Sequence, residues 1–211
     1  ISGTSFFFDT RLLLRYLGCA GIASVEATKE LVKLIQDAGG SIYYYRHTHD
    51  EMLKAFDDAI ASASNGSLIS DSEMRLYYST NSLTKLTLSA KKASFVNELQ
   101  ESKIFLRELE NHTEESRIKN GFTIDLLRQF MYSNLKWNTQ TIDNDAMSIW
   151  ETHMRREGDY SEYCGTNKKL CVFVTTNTLL VRTALEFKNN NPSIPSIQQW
   201  NHNRLPIISD V

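Results

Sequence analysis

The chain lacks any excess of positive charge. Its 211 residues carry 23 Lys and Arg against 25 Asp and Glu, for a formal net charge of −2. No overall basic field marks it as a nucleic-acid binder, so binding of that kind would need a local stripe of cations. Cysteine is also scarce. Cys19, Cys164 and Cys171 are odd in number and stand at no metal-ligand spacing, which suits the reducing cytosol.

Long apolar runs are missing as well. No stretch approaches the roughly 20 residues that a membrane helix needs, and no signal peptide is recognisable. We therefore expect a cytoplasmic protein with no membrane partner. The chain starts at Ile1 rather than Met, which predicts a fragment of a longer protein whose other domains would be candidate partners.

What is present is an ordinary globular composition, with 41% hydrophobic and 23% charged residues. The length suits one domain, residues 1–211. The first 60 residues predict strand, helix, helix, strand and helix. The strands lie at 5–8 and 41–45, Ser24 is the predicted N-cap of the second helix, and the third helix is predicted to open near Thr48.

Strand and helix alternate again in the last third of the chain. A helix over 145–156, a strand over 170–175, a helix over 179–187 and a last strand over 205–208 are predicted. Only helical periodicity is found between about 68 and 140, so we predict a helical insertion there. The alternation predicts an α/β domain with a mostly parallel sheet and right-handed crossovers.

Five acid or amide residues fall at corresponding places in this layout. Asp9 closes the first strand, Glu51 lies in the first turn of the helix after the second strand, Asp143 and Asp145 open the helix before the third strand, and Asn177 follows that strand. Because such positions share one edge of a parallel sheet, we expect them to converge. Hard cations such as Mg²⁺ or Mn²⁺ prefer oxygen ligands. The predicted chemistry is metal-assisted attack of water on a phosphodiester.

Two segments and Glu51 resemble a PIN-like nuclease domain. The segments are Phe7-Phe8-Asp9-Thr10-x-x-Leu13-Leu14 and Val172-Phe173-Val174-Thr175-Thr176-Asn177-x-x-Leu180. The resemblance covers about 1–60 and 141–190. It implies a three-layer α/β/α sandwich that hydrolyses single-stranded or structured RNA, using clustered acids and Mg²⁺ or Mn²⁺.

Site residues follow from the resemblance by position. It implies that Asp9, Glu51 and Asp145 are catalytic metal ligands, with Asp143 competing with Asp145 for the third place. Asn177 stands where the family usually has a fourth Asp. The missing charge implies either weaker metal binding or a catalytically silent interaction or scaffold domain.

Substrate contacts are predicted beside these ligands. Thr175 and Asn177 stand in the motif after the third strand, and Arg46 and His49 follow the second strand, where they would contact phosphate. His47 and His49 are two residues apart at a predicted strand exit and would share a face there, but no third His or Cys accompanies them at zinc spacing. Further candidate contacts to RNA phosphates, interleaved with acids, are Lys85, Lys91, Lys92, Lys103, Lys168 and Lys169.

Each predicted ligand also has a purely structural interpretation. Asp9, Asp143, Asp145 and Asn177 would serve as helix caps or turn residues, and Glu51 would favour the positive end of its helix. A different enzyme class is a phosphatase of the haloacid dehalogenase type, which also begins with a strand ending in Asp. That chemistry needs a second Asp two residues later, where this chain has Arg11.

Overall fold

The computed structural model describes residues 2–65, 74, 84–115, 122–156, 170–198, 200 and 205–209. Its strands are β1 (Ser5–Phe8), β2 (Ser41–Tyr45), β3 (Ile104–Arg107), β4 (Cys171–Thr175) and β5 (Ile207–Ser209). The helices are α1 (Thr10–Tyr16), α2 (Ile22–Asp37), α3 (Arg46–Asn65), α4 (Lys85–Glu101), α5 (Ile124–Asn134), α6 (Thr139–Arg155), α7 (Thr178–Asn190) and α8 (Pro195–Gln198). The strands form one parallel sheet in the order β3-β2-β1-β4-β5, which confirms the predicted α/β class.

Strand β3 corrects the prediction that the middle of the chain holds only helices. The helical periodicity of this region runs on to about residue 109, but α4 ends at Glu101, and a tight turn through Lys103, at a φ of 58°, leads into β3. The strand has four residues, of which only Ile104 is fully buried. Such a short strand gives too little alternation to be told from the helical pattern before it.

Three helices begin earlier than predicted. Helix α6 starts at Thr139, because the side chain of Asn138 accepts a hydrogen bond from Thr141 N at 2.8 Å and caps it. Asp143 and Asp145 were expected to open this helix and instead lie in its second turn. Helix α2 starts after Gly21 rather than at Ser24. Helix α3 follows β2 without a loop, so the sixth residue, Glu51, is in its second turn.

The chain divides into two compact units. The first unit comprises Ile1–Phe7 and Glu108–Val211, and the second comprises Phe8–Arg107. The predicted single domain with an insertion at about 68–140 stays a prediction. Within the described ranges, every helix is too short or too polar to cross a lipid bilayer.

The second unit is built around β2 and β3. These strands pair in parallel from Ile42 opposite Ile104 to Tyr45 opposite Arg107. Helix α1 packs against α2 and α3, and α3 packs against α4. Buried rings of Phe56 and Phe95 lie between α3 and α4, with centroids 5.6 Å apart. The second unit therefore places α1, which begins at Thr10, against α3.

The first unit is built around β4 and β5, which pair in parallel. All five residues of β4 are buried, as is typical of a strand covered on both faces. Helix α6 packs against β4 and α5. Arg156, at the end of α6, is buried, and its guanidinium donates to the carbonyl oxygens of Cys171 at 2.6 Å and Leu205 at 2.7 Å. Arg156 therefore ties α6 to the segments of both strands.

Candidate functional site

Asp9 follows β1 directly and caps α1. Its Oδ1 accepts a hydrogen bond from Leu12 N at 2.8 Å, with extended backbone angles typical of an N-cap. The structural interpretation of Asp9 is therefore confirmed. The predicted role of Asp9 as a metal ligand stays a prediction.

Glu51 reaches the residue that follows Asp9. The Thr10 hydroxyl donates a hydrogen bond to Glu51 Oε2, across 41 residues of sequence. Thr10 begins α1 and Glu51 lies on α3, and these two helices pack together. The first and second predicted ligands thus belong to one unit and are connected through Thr10.

Asp143 takes part in an ion pair between α5 and α6. Its Oδ1 lies 3.1 Å from Arg128 Nε and accepts a hydrogen bond from the Tyr132 hydroxyl at 2.8 Å. This hydrogen bond raises the pKa of Tyr132. Arg128 also contacts Asp125 at 3.2 Å. A carboxylate held by a guanidinium is a poor cation ligand, because the positive charge already offsets its own.

Asp145 lies on a different face of α6. It is three residues from Ile142 and four from Ile149, both of which are fully buried, so it flanks the core side of the helix. Residues two apart on a helix project about 200° apart. Asp143 and Asp145 therefore lie on different faces of α6, and the predicted metal-binding role of each stays a prediction.

Asn177 caps α7, much as Asp9 caps α1. Its Oδ1 accepts a hydrogen bond from Leu180 N at 3.2 Å, and its own backbone N–H donates to Thr175 Oγ1 at 3.0 Å. Thr175 is buried at the end of β4. The structural interpretation of Asn177 as a cap is confirmed, and the predicted substrate contacts of Asn177 and Thr175 stay predictions.

These acids do not form a complete metal-binding group. Among the described residues, no three His, Cys, Asp or Glu side chains are arranged to hold a metal ion together. Asp9 and Glu51 belong to the second unit, whereas Asp143, Asp145 and Asn177 belong to the first. No protein-family model, curated protein or solved structure matches the chain. The resemblance to PIN-like nucleases therefore stays a prediction.

The histidines after β2 lie in a helix rather than at a strand exit. Because α3 begins at Arg46, His47 and His49 point in different directions, which corrects the prediction that they share a face. His47 stacks on Tyr45 with ring centroids 5.4 Å apart, and His49 packs on Phe95 at 5.5 Å. Burial lowers the pKa of His47 to about 4, so this side chain is neutral at pH 7. Arg46 is exposed.

Two of the lysines that were candidates for phosphate contacts form ion pairs with acidic side chains. Lys91 Nζ lies 2.5 Å from Glu98, and Lys92 Nζ lies 2.5 Å from Asp57. Lys85 and Lys103 are exposed. Lys168 and Lys169 lie outside the described residues. Lys91 and Lys92 are therefore paired with neighbouring acids, as is typical of a solvated helix surface.

A buried ionic cluster in the first unit was not predicted. Its largely buried side chains are those of His112, Glu151 and Arg155, and the exposed side chain of Glu110 completes it. Glu151 is fully buried and sits at its centre, where it accepts a hydrogen bond from Glu110 N at 3.0 Å. Its other contacts are Arg155 Nε at 2.9 Å and His112 Nε2 at 2.8 Å.

The cluster fixes the segment that follows β3. Arg155 donates to the carbonyl oxygen of Glu108 at 2.7 Å and lies 2.5 Å from Glu110 Oε1, while its guanidinium sits over the Phe7 ring. The His112 ring meets Trp150 edge-on. The four-residue spacing of Glu151 and Arg155 is the only signal in the sequence, and it is equally common on exposed helices.

Proposed function

We propose that the chain is a metal-dependent ribonuclease of the PIN-like type, with a three-layer α/β/α sandwich. It would hydrolyse RNA phosphodiester bonds with a divalent cation, Mg²⁺ or Mn²⁺, bound by Asp9 and Glu51. The observation that supports this most strongly is the hydrogen bond from Thr10 to Glu51, which joins two distant segments beside Asp9.

The donor set fits the proposed metal. Mg²⁺ is commonly bound through one or two carboxylates, with water and substrate phosphate completing its octahedron. Asp9 and Glu51 offer two hard carboxylates within one unit, and the cap bond at Asp9 engages its Oδ1.

The chemistry would be divided between the cation and the side chains. A bound divalent cation acts as a Lewis acid and lowers the pKa of coordinated water. Asp9 and Glu51 would bind and orient it, while the catalytic roles predicted for Asp145 and for Asp143, which is paired with Arg128, stay predictions. Exposed Arg46, five residues before Glu51, would contact the RNA phosphate.

The test is cleavage of labelled single-stranded and hairpin RNA in the presence of Mn²⁺ by the native chain and by Asp9→Asn. Asn is as good an N-cap as Asp, so the variant keeps α1 and loses only the charge. We expect cleavage to fall by at least about 100-fold, equivalent to ~2.7 kcal/mol of barrier. Asp143→Asn is the matched control and should cleave at nearly the native rate. Equal cleavage by the native chain and Asp9→Asn would remove Asp9 from the mechanism.

The second candidate function is a catalytically silent interaction domain. The observation that favours it is the neutral Asn177, whose amide already caps α7 where the resemblance implies an acid. In this case the native chain neither cleaves RNA nor binds Mn²⁺. The phosphatase alternative has no such support, because Arg11 is an exposed cation on α1.

A further inference from the structure

We propose that Thr10 is a positioning residue that orients the Glu51 carboxylate for divalent-cation binding. The proposal rests on the function proposed above. Thr10 has a neutral hydroxyl and is not a predicted metal ligand, but it would raise the affinity for the metal through Glu51.

The position of Thr10 suits this role. It is the first residue of α1, directly after the Asp9 cap, so its backbone is fixed by the capping hydrogen bond at Leu12 N. At the first position of a helix no preceding turn offers a carbonyl to the threonine hydroxyl, which elsewhere in helices is its usual acceptor. The Thr10 hydroxyl is instead directed to Glu51 Oε2.

The hydrogen bond from Thr10 restricts the Glu51 side chain. A glutamate side chain has several rotatable bonds, and the loss of their freedom weakens metal binding unless the side chain is already held in place before the metal binds. Carboxylates that bind metals are themselves hydrogen-bonded, and loss of these outer contacts typically weakens metal binding by about 10- to 100-fold. Because a hydroxyl carries no charge, the Thr10 contact orients Glu51 without itself adding a positive charge beside the carboxylate.

The experiment measures Mn²⁺ affinity by calorimetry for the native chain, Thr10→Val and Thr10→Ser. Valine has the shape of threonine without the hydroxyl, and serine keeps the hydroxyl. We expect Thr10→Val to weaken Mn²⁺ binding by about 10- to 100-fold, and Thr10→Ser to stay within about threefold of the native affinity, since its donor is intact. In a Glu51→Ala background, Thr10→Val should cause no further loss, because the residue it orients is gone.

A second measurement uses no metal. Urea unfolding in EDTA of Thr10→Val, Glu51→Gln and the double variant should show that the two substitutions are coupled rather than additive. If Thr10→Val fails to fold, Thr10→Ala replaces it in both measurements.

The outcomes separate this proposal from the one it rests on. Native-like Mn²⁺ affinity in Thr10→Val, together with loss of binding in Asp9→Asn, overturns the role of Thr10 and leaves the metal site standing. Absence of Mn²⁺ binding by the native chain overturns both. Weakened binding in Thr10→Val that Thr10→Ser restores supports both.

Discussion

Substitution of Glu151 by Gln tests the buried ionic cluster. Glu151 is fully buried. It accepts a hydrogen bond from Glu110 N at 3.0 Å and lies 2.9 Å from Arg155 Nε and 2.8 Å from His112 Nε2. Glutamine has nearly the same shape but carries no charge, and its amide nitrogen is a donor. The amide nitrogen would then face either Glu110 N and Arg155 Nε, which cannot accept a hydrogen bond, or His112 Nε2, which accepts one only in one of its tautomers.

The size of the expected loss of stability depends on the contacts that Arg155 keeps after the substitution. Removing one partner of a buried ion pair typically costs about 3–5 kcal/mol, because the other charge is left uncompensated. Arg155 keeps Glu110 Oε1 at 2.5 Å and the Glu108 carbonyl at 2.7 Å, so its charge stays paired. We therefore expect the lower end of the range, about 3 kcal/mol in the free energy of unfolding.

Urea unfolding followed by circular dichroism measures this loss. The matched control is Glu186→Gln on α7 of the same unit, because Glu186 is exposed and should change stability by less than about 0.5 kcal/mol. In a double-mutant cycle with Arg155→Gln, the two losses should not add, since both variants break the same contact. A loss below about 1 kcal/mol for Glu151→Gln would refute the account of a stabilising buried charge.

Three further predictions concern other residues. Burial lowers the pKa of His47 from 6.5 to about 4, so the unfolded state binds more protons between these values and stability falls as the pH decreases through them. The free energy of unfolding should therefore change less between pH 7 and pH 5 in His47→Gln than in the native chain, by up to about 2 kcal/mol. Equal pH dependence in the two would contradict a buried neutral His47. Burial raises the pKa of Cys19 to about 12, so iodoacetamide should label it only after unfolding, as judged by mass spectrometry; labelling at the same rate in the native state would contradict that burial. Asn177→Asp keeps an equally good cap for α7, so the free energy of unfolding in urea should change by less than about 0.5 kcal/mol, and a loss above about 1 kcal/mol would contradict the role of Asn177 as a cap.

Much of the fold could be predicted because its main elements are strongly patterned. Strand β4 is continuously apolar and buried along its whole length, and the aromatic strand β2 lies between a glycine pair and a helix. Strand β3 could not be predicted, because its four residues directly follow a long helix and show no distinct hydrophobic period. Local pattern is informative only over a window longer than that.

The candidate site was predictable in its residue types but not in their partners. Strand-to-helix junctions identify Asp9 and Asn177 as caps, since the capping preference is local. Asp143 pairs with Arg128, and where α6 begins determines on which face of the helix Asp143 and Asp145 each lie. The ionic cluster joins Glu151 to residues about 40 positions away, and no local signal carries that contact.

Mn²⁺ binding to the native chain and to Asp9→Asn, measured by calorimetry, tests the central claim most directly. The account predicts that the native chain binds Mn²⁺ and that Asp9→Asn loses this binding while its helix content and unfolding midpoint are retained. Asp143→Asn should bind as the native chain does, because Asp143 is engaged by Arg128 and Tyr132. Binding of equal affinity in the native chain and Asp9→Asn, or no binding in either, would contradict the assignment of Asp9 and Glu51 as cation ligands.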